Sequence, residues 1–230
     1  MIKKLLYNLL PLKTYLKLIS TLFFWGYRSG LLKHNKKIAC HYFVKNLISE
    51  GDCVIDIGAN LGYYTVIFSR LAGKSGKIYS VEPVKLYADV LKQKVRKLDN
   101  VEVLPYALGN ENGKQIKMGV PQVNGSFRHG LTKVVSNDEK LLHEFTAIMY
   151  TPEKLFQTIE KINYIKCDVE GYEIHILPLM LNLISKHKPI LQIETDGENR
   201  SKICTLLQNQ NYKAYGLNNG KLLCRRCVFS

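Results

Sequence analysis

The chain has 230 residues, 46% of them hydrophobic, which suits one α/β domain with some extra structure rather than two domains and allows a sizeable core. Lys and Arg number 33 against 19 Asp and Glu, a formal net charge of +14. That balance argues against cationic partners and for anionic ones, whether nucleic acid, an acidic membrane surface or phosphorylated substrates; the plain alternative is solubility or a genome rich in Lys codons.

Residues 1–37 have a character of their own. They carry Lys3, Lys4, Lys13, Lys17, Arg28, Lys33, Lys36 and Lys37 and no acid. Leu5, Leu9, Leu12, Leu16, Ile19 and Phe23 recur in steps of four and three, which puts them on one helical face. Pro11 breaks or kinks the pattern, so it fits two short helices as well as one. The longest uncharged run, Leu18 to Tyr27, is too short to span a bilayer. Two readings of this 1–40 extension stand: a helical lid packed on the domain, or a basic amphipathic segment in peripheral contact with an anionic membrane through residues 1–37. The remainder, 41–230, reads as the catalytic or binding domain.

From Cys53 onward strands and helices alternate, the pattern of a parallel sheet with crossover helices. Strands are predicted at 53–57, 77–81, 101–104, 164–167 and 189–193. An additional strand falls near 113–120. Helices are predicted at 63–72, 85–97, from Pro152 through 153–160, and at 172–185 with a bend near Pro178. Residues 121–137, rich in Gly, Ser and Asn, read as a long loop. The end reads as a hairpin, 212–217 and 221–229, turning at Asn218-Asn219-Gly220. The six cysteines are scattered and no cleavable leader is seen, so a reducing, cytoplasmic compartment is expected. Cys224 and Cys227 have metal-ligand spacing, but a structural zinc site needs four protein ligands and no second pair stands close by.

The strongest chemical segment is Val54-Ile55-Asp56-Ile57-Gly58-Ala59-Asn60-Leu61-Gly62: a buried strand, a glycine turn, then a helix. Gly58 lets backbone approach a ligand that a side chain would block, and Gly62 permits a tight start to the helix. The acid chooses the cofactor. A dinucleotide site holds a pyrophosphate at such a turn, and Asp56 would repel it. S-adenosyl-L-methionine has no phosphate and carries an ammonium and a sulfonium, which suit a carboxylate. Glu82, in Val81-Glu82-Pro83, ends the second strand about twenty residues on, where an acid accepts bonds from ribose hydroxyls. The third segment, Ile165-Lys166-Cys167-Asp168-Val169-Glu170-Gly171-Tyr172-Glu173, places Asp168 at the carboxyl end of strand four, beside strand one. Ligands of open α/β sheets bind along that edge. Either Asp168 or Glu170 caps the following helix, and Glu170 is the better fit to that role.

DIGANLGYYT, VEP, PYALGN at Pro105 to Asn110, and IKCDVEGYE, in that order, resemble the FkbM-type methyltransferase family over roughly Tyr42 to Glu194. The resemblance implies a Rossmann-like class I methyltransferase fold: a mostly parallel seven-stranded sheet with a C-terminal antiparallel hairpin, here with the N-terminal helical extension. It implies a cofactor site at Asp56, Gly58, Ala59, Asn60, Gly62, Glu82, Pro83, Tyr106, Ala107 and Asp168. It also implies methyl transfer to a hydroxyl, often of a sugar or natural product. The chain departs from the family at Thr151-Pro152-Glu153, where a Leu-Asp pair is common, and at Asn124-Gly125-Ser126, where many members carry a Ser-rich loop.

No Gly-x-Ser-x-Gly elbow, P-loop or His-Glu-x-x-His stands in the chain, which sets aside other common catalytic schemes. A hydroxyl acceptor must lose its proton, so a general base is needed. Asp168 is the first candidate, followed by His129, Glu194 and Asp196. His41, His143, His175 and His187 read as surface or packing residues. Carboxylates gathered near Asp168 could instead hold Mg²⁺ or Ca²⁺; Asp168 acting without a metal is the simpler reading. The expected substrate is a sugar hydroxyl of a surface polysaccharide or its lipid-linked precursor. An RNA or DNA methyltransferase is the second reading, disfavoured by the spread of positive charge and by the missing (Asn/Asp)-Pro-Pro-(Tyr/Phe) tetrad. A cofactor-binding interaction module without turnover is the third.

Overall fold

A computed structural model describes residues 2–121, 127–135, 140–195, 197–218 and 221–224. Helices α1 (Ile2–Leu9), α2 (Leu12–Arg28) and α3 (Ala39–Phe43) precede β1 (Cys53–Ile57). Then come α4 (Thr65–Ala72), β2 (Lys77–Val81), α5 (Lys85–Val95) and β3 (Val101–Leu104). An inserted stretch holds β4 (Ala107–Leu108), β5 (Lys114–Pro121), β6 (Lys133–Val134) and β7 (Leu141–Tyr150). After α6 (Pro152–Phe156) follow β8 (Tyr164–Cys167), α7 (Glu173–Ile176), α8 (Leu181–His187), β9 (Ile190–Ile193) and α9 (Gly197–Gln208). Strands β10 (Tyr215–Asn218) and β11 (Lys221–Cys224) end the described chain.

The central sheet runs β3-β2-β1-β8-β9 with every pair parallel. Its faces alternate as a pleat requires. Ile55, Ile57, Ile165 and Cys167 join one core with α6, α7 and α8. Val54, Ile78 and Tyr164 join another with Phe68 of α4. Helices cover both faces, which is why β8 is buried along its whole length and reads as an unbroken apolar run apart from one lysine.

Seven strands were expected in this sheet, and five are found. The two strands of the C-terminal hairpin, β10 and β11, bond antiparallel to each other, and among the described residues no ladder joins them to β9. The remaining strands form a second sheet, β4-β7-β5-β6. There β5 and β7 pair along almost their full length, which satisfies their backbone groups without the central sheet. The predicted loop 121–137 is partly structured: it contains a 3₁₀ turn, His129–Leu131, and β6. Residues 122–126, with the Asn124-Gly125-Ser126 departure, lie outside the described residues, as do Asp196 and Cys227.

Pro11 divides α1 from α2 and stands as the N-cap of α2; it lacks the N–H that would continue a helix. Of the predicted stripe, Leu16 and Ile19 are buried, whereas Leu5 and Leu9 are exposed. Tyr15, Leu16 and Ile19 share a core with Leu61, Val84 and Tyr87 of the central domain, with Met118 and Met149 of the second sheet, and with Phe127 of the connection between β5 and β6. Among the described residues no helix is long and apolar enough to cross a membrane.

Candidate active site

Strand β1 delivers the chain into a turn that is pinned to β2. The N–H groups of Gly58 and Ala59 both donate to the Val81 carbonyl, at 3.0 Å each. Asn60 takes a left-handed conformation, φ 52°, which asparagine tolerates better than most residues. Its N–H donates to Glu82 Oε2 at 2.8 Å, and the Val84 N–H donates to Glu82 Oε1 at 2.9 Å. Glu82 therefore clasps the two turns that follow β1 and β2. Burial pushes its carboxyl up to about 7 against those two hydrogen bonds. Each oxygen retains a further lone pair for a hydroxyl donor. The Asn60 Oδ1 is buried with no partner, so the same turn offers an unsatisfied acceptor. Both features fit the adenosyl cofactor, whose ribose and ammonium are donors.

Gly58 faces protein and not open space, contrary to the sequence expectation. Its φ is 74°, and a Cβ there would lie 1.8 Å from the Asp168 carbonyl oxygen. The space a side chain would fill is taken by the protein's own backbone at the end of β8, so Gly58 is required by the junction of two strands, ligand or no ligand. Gly62, φ 85°, does serve the tight turn into α4.

At that junction lies a buried lysine. Lys166 Nζ stands 3.5 Å from Asp56 Oδ1 and 3.2 Å from Asp168 Oδ2, and it donates to the Gly58 carbonyl at 3.1 Å. The Lys166 side chain is 4% exposed and Asp56 0%, whereas Asp168 is 27% exposed. Asp56 also accepts from Thr65 Oγ1 at 2.7 Å. Burial opposes charge on Lys166, yet Asp56 and Asp168 together hold its pKa above the ordinary value. Burial likewise works against the Asp168 charge, but Lys166 and a hydrogen bond from Glu194 keep its carboxyl below the usual range. Glu194, just past β9, is pushed up to about 8, first by that hydrogen bond and then by burial. The two shifts run in opposite directions, so the pair favours the proton on Glu194 and the negative charge on Asp168.

His129 lies elsewhere on the turn. Its Nε2 is 3.1 Å from the Tyr63 hydroxyl, and its carbonyl accepts from Asn60 Nδ2 at 3.4 Å. Burial pushes its pKa down to about 4. No described contact joins it to Asp168, so the two catalytic candidates do not form one pair. The imidazole near Asp168 is His41, read from sequence as surface or packing. It does pack, stacked on Tyr64 at 3.8 Å, but its Nδ1 is buried without a partner. Burial, and after it the charge of Lys166, holds it down at about 4 against the pull of Asp168. No motif marked His41, because α3 reaches the site only through folding. Lys166 lies within the Ile165–Glu173 segment, where the sequence pattern gives a lysine no evident role.

The capping expectation fails. Glu170 has φ 54° and caps nothing; the Val169 N–H instead donates to Glu173 Oε1 at 2.6 Å. Helix α7 has no side-chain cap. Pro83 follows Glu82 in the second turn. Tyr106 packs edge-on against Tyr150, with ring centres 4.8 Å apart, and Ala107 pairs with Met149. Among the described residues no three His, Cys, Asp or Glu side chains are placed to hold a metal ion.

A parallel sheet ordered 3-2-1-8-9, a glycine turn after its central strand and an acid after the next define a class I methyltransferase-like α/β domain. The chain belongs to the FkbM methyltransferase family, whose domain matches residues 56–214. Curated relatives include a protein-L-isoaspartate O-methyltransferase of Methanosarcina mazei, 40% identical over 99 residues, 42% of this chain and 37% of that protein. A namesake from Methanocella arvoryzae is 36% identical over 77 residues, 30% of this chain and 41% of the relative. The chain therefore spans about two fifths of the length of these relatives. Among solved structures, Aeropyrum pernix fibrillarin with natively bound S-adenosyl-L-methionine is 13% identical at TM-score 0.46, covering 74% of this chain and 60% of that one. A precorrin-6y C5,15-methyltransferase of Geobacter metallireducens is 12% identical at TM-score 0.46, covering 83% and 84%.

Proposed function

We propose that this chain is an O-methyltransferase with Asp168 as general base and a sugar hydroxyl of a surface polysaccharide or glycan precursor as acceptor. The observation that carries the reading is the asymmetry of the Lys166 cluster. Asp56 and Lys166 are sealed, while Asp168 is ionised and partly open at the carboxyl edge of the sheet. A charged carboxylate at that edge can take the hydroxyl proton as the new C–O bond forms and the cofactor's methyl–sulfur bond breaks, leaving S-adenosylhomocysteine. Glu82 and Asn60 would hold the cofactor's ribose and amino-acid portions, and Asp56 would support the turn from beneath. S-adenosylmethionine supplies the electrophilic methyl group. Positioning the acceptor is then the main task left to the protein.

The matched curated relatives are O-methyltransferases by name, which favours an oxygen acceptor; the sugar comes from the family resemblance. Cys40, Cys53 and Cys167 carry free thiols, in keeping with a reducing, cytoplasmic setting. Incubation with cofactor and defined glycans should give a product heavier by one methyl group, lost in Asp168→Asn. Methylation of RNA in place of any glycan would overturn the acceptor class. Chelation should leave turnover intact; a loss that Mg²⁺ restores would show that a cation, not Asp168 alone, activates the hydroxyl.

A further inference from the structure

Away from this edge, α2 lies across α4 and α5 and leaves a groove of about 890 Å³. Six cations line it: Lys17 and Arg28 from α2, Arg70 from α4, and Lys94, Arg96 and Lys97 at the end of α5. No acid does. Among the described residues none of the six is in a salt bridge. Lys94 is held over the Phe24 ring at 5.3 Å and donates to Thr21 Oγ1 at 3.1 Å, so it is fixed in place by neutral partners. Burial, and after it the charge of Arg28, lowers the pKa of both Arg70 and Lys94. Like charges gathered this way repel each other, and an anion relieves them.

Helix C-termini attract cations, which accounts for those at the ends of α4 and α5. It does not account for Lys17, in the first half of α2. Nor does it account for the apolar rim. Trp25 is 65% exposed and Leu22 50%, and with Leu18 they follow one face of α2 at steps of four and three. A tryptophan beside a cluster of Lys and Arg is the composition of a membrane interface: rings at headgroup depth, cations on phosphates. A single-stranded nucleic acid groove needs several stacking platforms. Here Phe24 is buried and covered by Lys94, which leaves Trp25 alone.

We propose that this groove binds the phosphate headgroups of anionic membrane lipids, with Trp25 and Leu22 dipping into the interface. The site involves neither Asp168 nor Glu82, so it stands independently of the methyl acceptor. It also moves any membrane contact on α2 from the predicted stripe, whose Leu16 and Ile19 are buried, to the exposed Leu22 and Trp25.

Trp25 is the one tryptophan in the chain, so its emission reports directly. The full chain should bind phosphatidylcholine vesicles containing phosphatidylglycerol, with a blue shift of Trp25 emission, and release in high salt. Vesicles of phosphatidylcholine alone should not bind. Arg28→Ala combined with Arg70→Ala removes two exposed cations and should weaken vesicle binding about tenfold or more. Adenosylhomocysteine affinity and thermal midpoint should stay unchanged. Lys36→Ala with Lys37→Ala, outside the groove, should keep vesicle binding. An equal loss in that control would overturn the groove assignment, leaving diffuse charge as the cause. Unshifted Trp25 emission on the vesicles would also overturn it. So would the same shift with glycerol phosphate in free solution, or retention of a short RNA without vesicle binding.

Discussion

Replacing Lys166 by Met tests the interior of the site most directly. Met has similar length and packs well in apolar surroundings, so the change removes charge more than volume. What remains is a carboxylate at 0% exposure, Asp56, which keeps Thr65 and loses Lys166. Breaking a buried pair in this way costs about 3–5 kcal/mol, because the remaining charge stays desolvated. A domain of this size loses about 2–4 °C of midpoint per kcal/mol, which sets the expected drop at about 6–20 °C at neutral pH. Adding Asp56→Asn removes the stranded charge and should recover a good part of the loss, a coupling of about 0.5–3 kcal/mol. Thermal and urea unfolding of the four proteins of the cycle measure it. A Lys166→Met protein within about 1 kcal/mol of wild type, or strict additivity in the double variant, would refute the reasoning.

Gly58→Ala should be as damaging. Its Cβ would meet backbone at 1.8 Å and its left-handed φ adds about 1–3 kcal/mol of strain; a drop in midpoint, and not merely in cofactor affinity, is the expected reading. Glu82→Ala should weaken adenosylhomocysteine by about 1.5–3 kcal/mol by calorimetry and also lower the midpoint, since two backbone N–H groups lose their acceptor. Leu16→Ala, at a position 0% exposed, should cost about 2–5 kcal/mol in urea unfolding. The Glu194 proton gives a pH test. Its folded-state value of about 8 lies above the ordinary 4.5, so the folded chain holds this proton between those values and loses stability as pH rises through the window. A pH–stability profile should lose that fall between about 4.5 and 8 in Glu194→Gln, whose amide still donates to Asp168; persistence of the fall would assign it to another group.

Much of the central sheet could be read from local patterns. Its five strands are short apolar runs followed by Gly, Pro, Asp or Glu, and each lies close to its predicted span. The second sheet was harder. Residues 141–150 include His143, Glu144 and Thr146 among apolar residues, and β7 went unassigned although its alternation buries Ala147 and Met149. Helix α9 carries too weak an apolar stripe to stand out, and α3 is barely longer than a turn. In the site, Asp56, Glu82 and Asp168 could be found because each stands beside the carboxyl end of a strand. Their partners could not. That Lys166 faces Asp56 depends on the register of β1 against β8, and His41 comes to the cluster through a packing contact more than a hundred residues distant from Asp168 in sequence.

The shared core of α2, α5 and the inserted sheet bears on how such chains can diversify. Tyr15 and Leu16 pack against the same residues that back the inserted sheet, among them Met118 and Met149. An insertion grafted from another family member would meet an α2 surface cut for a different partner. New substrate specificity on this scaffold therefore has to come as a matched pair, with the helix before the domain and the sheet in its middle changing together.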